Sequence, residues 1–194
     1  MHTPTREEAF ELLTTYTKSE SLINHARAVE AVLRHFAAKW GEDVEKWGII
    51  GLVHDLDWEA YPDQHCQKTT EILREAEWPQ EYIRSVRSHA YGMFTDDKPE
   101  HQMEKVLYTI DELTGLITAT ALVRPSKSVL DMKAKSVKKK WKERSFAAGA
   151  NREVISQGAE MLGMELSDVI TETITGMQTV ATDIGLAGEL ADEK

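Results

Sequence analysis

The chain has 194 residues, a single cysteine and a formal net charge of −10. That length suits one domain, or one domain with a helical extension, and it buries a core without disulfide staples. The acidic balance argues against general nucleic-acid or anionic-membrane binding, and the lone Cys66 excludes an internal disulfide framework. The N-terminus lacks a charged-then-apolar signal pattern and no apolar run approaches a membrane span, so the expectation is a soluble cytoplasmic protein.

The five prolines sit at Pro4, Pro62, Pro79, Pro99 and Pro125, and between them apolar residues recur at helical spacing without an alternating strand pattern. Thr5 and Glu8 have capping-box spacing and predict the start of a first helix. A second is predicted over about 19–39, with Leu22, Ala26, Val29, Leu33 and Phe36 on one face and Gly41 ending it. A third starts near Glu42 and runs into the apolar stretch Trp47–Leu56. Helices follow over about 65–77 and, with Pro79 at the first position, to about Ala90. A loop covers 91–97, and Pro99 is expected to open a long helix to about Val123 with Val106, Leu107, Ile110, Leu113 and Ile117 inward. Beyond Pro125, the residues Leu130, Ala134, Val137 and Trp141 form a narrow apolar stripe, and two further helices cover about 152–162 and 167–184. The expected fold class is therefore all-α, with a core over 1–123 and a basic helix plus C-terminal helices over 124–194 packed on it.

The stretch Trp47–Leu56 organises the chain, because it is almost wholly apolar and then presents His54 and Asp55 side by side. A buried carboxylate requires a cation, a hydrogen-bond network or a metal. His25 lies three residues after Leu22 and four before Val29, so it faces the core; Asp111 lies four residues after Leu107 and beside Ile110, also inward. Three helices thus each bring His or Asp to a buried side. A shared metal accounts for all four residues together, whereas separate core roles need a separate reason for each.

In this order, and on helices, His25, His54-Asp55 and Asp111 resemble the metal-binding signature of the HD-domain metal-dependent phosphohydrolases over about residues 20–120. The run Ser88–Gly92, followed by Lys105–Asp111, is similar in part to the HD-type symmetrical diadenosine tetraphosphate hydrolases, with Ile110 where an alanine is usual. The resemblance implies an HD-domain helical bundle with a C-terminal helical extension. It also implies a second ion held by His65 and His89, with Asp55 bridging; the bland alternative for those two histidines is a surface position near helix ends. Mixed imidazole and carboxylate ligands suit one or two divalent transition-metal ions, Mn, Fe, Co, Ni or Zn, more than Ca.

Around this set lie further candidates. Asp57 and Glu59 could orient the metal's water or accept its proton, or belong to a solvated helix end. Lys68, one turn after His65, could touch a substrate phosphate or stand exposed. Cys66 reads as structural, and His101 as a group supporting the ligands from behind or an exposed residue, and not as a ligand. Charge is uneven: residues 124–152 hold ten basic against two acidic residues, a net of +8, while the remainder carries −18. Either this is a solvated helix, or it offers a positive wall to a phosphorylated substrate, with Arg144 and Arg152 the best placed to bind in a fork. Asp55, Asp57 and Lys68 are thus the catalytic candidates and Arg144 and Arg152 the substrate-binding ones. The expected function is metal-dependent hydrolysis of a phosphate ester or anhydride of a small molecule, a nucleotide first, with no nucleic-acid or membrane partner. Alternatives from other classes are a metal-containing nucleotide-binding module without turnover and a diiron oxygenase of HD type.

Overall fold

The computed structural model describes residues 3–190, and among them there are nine α-helices and no strand, with one isolated bridge between Tyr91 and Thr95. In chain order the helices are α1 (Arg6–Tyr16), α2 (Glu20–Trp40), α3 (Val44–Val53), α4 (Gln67–Glu75), α5 (Gln80–Ser88), α6 (Gln102–Leu122), α7 (Ala134–Trp141), α8 (Arg152–Leu162) and α9 (Leu166–Gln178), with a 3-10 turn over Pro62–Gln64. None is long and apolar enough to cross a membrane.

Local chemistry sets most boundaries. The Thr5 hydroxyl accepts the Glu8 N–H at 3.2 Å while the Glu8 carboxylate accepts the Thr5 N–H at 2.7 Å, closing the box that opens α1. Gly41 ends α2 in the left-handed region at φ 73°. Asp43 caps α3, and Asn151 caps α8 by accepting the N–H of Glu153 and Val154. The long helix α6 does not begin at Pro99. It begins at Gln102 behind His101, because the buried Glu104 carboxylate accepts the N–H of Glu100 at 2.8 Å and of His101 at 3.0 Å and holds this segment as a cap. Pro79 likewise stands just before α5 rather than inside it. The predicted helix at 65–77 starts at Gln67, since Cys66 takes a left-handed φ of 64°. The last helix stops at Gln178, and Leu186 then accepts a hydrogen bond from the Val129 N–H at 2.9 Å. Leu130 lies outside α7 and is exposed; Val129 and Met132 are the buried residues at that turn.

At the centre α2 packs against α3, α6 and α9, burying Val29, Val32, Leu33 and Phe36. On α6, Val106, Leu107, Ile110, Leu113 and Ile117 are buried in register, as their spacing requires. A single hydrophobic cluster joins Leu33, Ile50 and Leu113 to Ile155, Val169 and Ile174, so the helices after residue 123 complete the core rather than decorate it. Each such side chain contributes roughly 1.5–3 kcal/mol on burial. Two glycines let helices approach closely: a Cβ on Gly176 would lie 2.7 Å from the Val32 Cα, and one on Gly158 would lie 3.0 Å from the Thr109 Cα. This is an all-α helical bundle with additional C-terminal helices, as the periodicity implied.

Candidate metal centre

The His54-Asp55 pair sits where α3 ends. Gly51 O can only accept, so the His54 Nδ1 at 2.7 Å carries a proton and Nε2 is the ring nitrogen aimed away from the helix. Turns then reverse the chain, with the Trp58 N–H bonded to Asp55 O and the Tyr61 N–H to Asp57 O. From α2 His25 Nε2 lies 3.0 Å from Asp111 Oδ1 of α6, and His54 Nε2 lies 3.3 Å from the same oxygen. Asp55 Oδ2 stands 3.7 Å from His25 Nε2 and 3.5 Å from His54 Nε2. One ligand atom from each of His25, His54, Asp55 and Asp111 therefore lies within 4.8 Å of the others.

The other Asp55 oxygen faces a second set. Asp55 Oδ1 lies 3.3 Å from His89 Nε2 and 3.6 Å from His65 Nε2. Both imidazoles are tied at Nδ1: His89 donates to Val86 O at 2.5 Å, and His65 donates to Asp57 Oδ1 at 2.8 Å. Their Nε2 atoms consequently point at one another 3.1 Å apart. Two neutral rings so tethered would set lone pair against lone pair, an arrangement that a proton or a cation between them relieves. The Cys66 sulfur also groups with His65 and His89 within 4.8 Å. The two clusters, of His/His/Asp/Asp and His/Cys/His type, are consistent with a divalent metal site.

The surrounding electrostatics are those of buried ionic groups. Burial opposes ionisation of Asp55, yet the positive His54 and the hydrogen bond from His89 hold it below the usual carboxylate range. Asp111 is held well below that range too, the hydrogen bonds from His25 and His54 outweighing burial. Burial pulls the His89 imidazole down, but its bond to Asp55 and the charges of Asp111 and Asp55 push it up to about 9. His54 is also raised, since the charge of Asp55 and the bond to Asp111 exceed the penalty of burial. Burial and the nearby Asp57 and Asp55 charges push the Cys66 thiol up, so it is held protonated in the metal-free protein. Imidazoles bind metal only when neutral, so binding at about neutral pH must displace at least the His89 proton. Apparent affinity in the metal-free chain is expected to rise about tenfold per pH unit between about pH 6 and 8 and to level off above about 9. Proton release in weak buffer during metal titration checks this; a pH-independent affinity would contradict it.

A cavity of about 440 Å³ opens onto both sets, with His25, Asp55, His65, His89 and Asp111 on its lining. Trp58, Met93 and Phe94 form an apolar wall, and Ala147, Gly149 and Ala150 enter from the loop before α8. The carboxylate of Glu112 completes it; one oxygen accepts the Asn151 N–H at 2.9 Å and so ties that loop to α6.

Several other sequence candidates lie elsewhere. Asp57 is neither solvated nor on the cavity: it is fully buried and its carboxylate accepts the His65 Nδ1–H and the Thr69 N–H at 2.8 Å each. Glu59 accepts the N–H of Lys18 and Ser19, serving as a cap for α2 in place of the Ser19 side chain. Lys68 is away from the cavity, paired with Glu71 at 2.5 Å and set over the Tyr61 ring. Arg144 and Arg152 line a different cavity of about 260 Å³. Arg152 is buried and donates to the carbonyls of Trp141, Glu143, Phe146, Ala147 and Ala150, so its fork is occupied by backbone. From the basic segment only the small-residue loop reaches the candidate centre. Sequence reading missed Trp58, Met93, Phe94 and Glu112; the adjacency of Trp58 to the pair and of Glu112 to Asp111 was the available signal.

Comparison with curated proteins and with solved structures gave no match. Comparison with protein-family profiles matched residues 22–116 to the HD domain, a span that starts on α2 and ends inside α6 and contains every residue of both donor sets. Residues 22–116 therefore form an HD domain.

Proposed function

We propose that the chain is a metal-dependent phosphohydrolase acting on a phosphate ester, with His25, His54, Asp55 and Asp111 holding one ion and Asp55, His65 and His89 a second. The observation that carries this reading is the Asp55 carboxylate, whose Oδ2 faces one donor set and whose Oδ1 faces the other. When bound, such ions lower the pKa of water toward neutrality and polarise a phosphoryl oxygen. The chain's own residues do the rest. Gly51 O and Val86 O fix the tautomers of His54 and His89 by accepting their Nδ1 protons, and Asp57 does so for His65. Asp57 is therefore a positioning residue, and Asp55 is the carboxylate that would be common to both donor sets. The apolar wall of Trp58, Met93 and Phe94 restricts water around the phosphate and strengthens those charges.

The test is metal analysis of protein purified without chelator, then phosphate release from a panel of phosphate esters and anhydrides before and after chelation. The expectation is near two ions per chain and release that is lost with chelator and restored by metal. Stoichiometric metal with no release from any substrate would leave a binding module; iron with substrate-dependent oxygen uptake would replace hydrolysis by oxygenation.

A further inference from the structure

We propose that the cavity selects a monoester, a single phosphate on a carrier with an aromatic ring, of which a nucleoside 5′-monophosphate is the fitting class, and that it discriminates against di- and triphosphates. This rests on the phosphohydrolase reading and narrows it. Two independent features of the cavity lead to it.

The first is charge. Among the described residues no lysine or arginine lines the cavity, and every side chain there that carries a full charge by its ordinary chemistry, other than histidine, is an acid: Asp55, Asp111 and Glu112. The donor sets provide for one phosphate. A second or third phosphate would lie beside Glu112 and the apolar wall without a cationic partner, and an unpaired charge in a partly desolvated site is disfavoured. Of the basic residues of 124–152, which could have supplied partners, Lys135, Lys138, Lys139, Lys142, Arg144 and Arg152 line other cavities, and Arg124 and Lys140 pair with Asp131 and Glu143.

The second is the wall. Trp58 and Phe94 are 39 % and 46 % exposed, and Met93 beside them is 43 % exposed, an unusual grouping of large apolar side chains at one mouth. Their placement is fixed, because both rings meet His65 edge-on, with centroids 4.9 Å and 5.0 Å away, and stand 6.2 Å apart from each other at 87°. A flat ring carried by the ester can stack on either face, and Glu112, one oxygen of which accepts the Asn151 N–H, lines the same cavity. The volume of about 440 Å³ falls in the range of small-ligand sites. Ala147, Gly149 and Ala150 keep the loop side of the cavity narrow in side chain and open in space. In the reaction water attacks phosphorus, the phosphorus–ester oxygen bond breaks, and the water's proton ends on the leaving alcohol, giving a nucleoside and inorganic phosphate.

The test uses the full chain carrying the metal with which it purifies, without added magnesium. Adenosine 5′-mono-, di- and triphosphate and ribose 5-phosphate are titrated by calorimetry, and phosphate release is read on the same samples. The monophosphate should bind at least tenfold more tightly than the triphosphate and than ribose 5-phosphate. Phe94→Ala and Trp58→Ala should each weaken monophosphate binding about tenfold with metal content and ribose 5-phosphate binding unchanged, and Phe94→Tyr should restore it. Equal or tighter binding of the triphosphate, equal binding of ribose 5-phosphate, or no binding of any of the four would overturn the proposal. Selective binding of the monophosphate without phosphate release supports the selection and counts against the hydrolase reading alone.

Discussion

Asp55→Ala is expected to empty both donor sets and lower kcat/KM by about a thousandfold or more, with helical content retained. The reason is geometric. Asp55 is the residue whose two oxygens face different sets, at 3.5 Å from His54 Nε2 on one side and 3.3 Å from His89 Nε2 on the other. Metal ions contribute several kcal/mol to phosphoryl transfer, and each 1.36 kcal/mol is about tenfold in rate. His89→Ala makes the contrast: it removes a ligand from the second set alone, so about one ion per chain should remain. Burial pulls His54 and His89 down, but the charge of Asp55 pushes both up in the metal-free chain, so its loss should move both imidazoles down. Metal stoichiometry, circular dichroism and imidazole titration by NMR read these effects separately. An unchanged ion count in Asp55→Ala would refute the bridging role.

The convergence of His25, His54, Asp55 and Asp111 was legible because each lies in register with apolar residues whose spacing already fixes an inward face. Periodicity reports that kind of placement well. It reports nothing about residues in turns. Asp57 reads as a catalytic candidate or a solvated helix end because two residues past the pair there is no face to assign; the turn instead carries it inward to His65. Met93 and Phe94 leave no pattern, since aromatic and methionine side chains in loops are ordinary singly, and with Trp58 they become a wall only when two loops meet. Pro99 misplaced the start of α6 because a capping carboxylate three residues into the helix, on the buried Glu104, overrode the proline signal. Glu59, likewise, caps a helix forty residues away from it in sequence, a pairing that no local window contains.

Arg152 is the sharpest case, and it gives the second large effect. In sequence it stands in a basic segment at the start of a helix, which suggested an anion-binding fork. In the fold it is 5 % exposed, with Nε donating to Trp141 O at 3.1 Å, Nη1 to Ala147 O and Ala150 O, and Nη2 to Glu143 O and Phe146 O. The guanidinium thus serves as the hub of the loop between α7 and α8: Glu143 O and Ala147 O also accept the N–H of Phe146 and Ala150, whereas Trp141 O, Phe146 O and Ala150 O rely on Arg152. Arg152→Gln cannot reach them all, and leaving buried carbonyls unpaired is expected to destabilise the chain by on the order of 3 kcal/mol. Arg152→Lys should lose most of the same stability, because a point charge with three donors cannot reproduce a planar fork with five. Arg144→Gln, on an exposed side chain, should change stability by no more than about 0.5 kcal/mol. The loop also carries Ala147, Gly149 and Ala150 to the cavity, so Arg152→Gln should raise KM through loosening of that side while metal content stays constant. Urea midpoints with matched kinetics at two salt concentrations separate the roles. Destabilisation with an unaltered salt dependence of KM fits the structural hub, whereas a raised KM that flattens with salt at unchanged stability would make Arg152 a direct substrate contact after all.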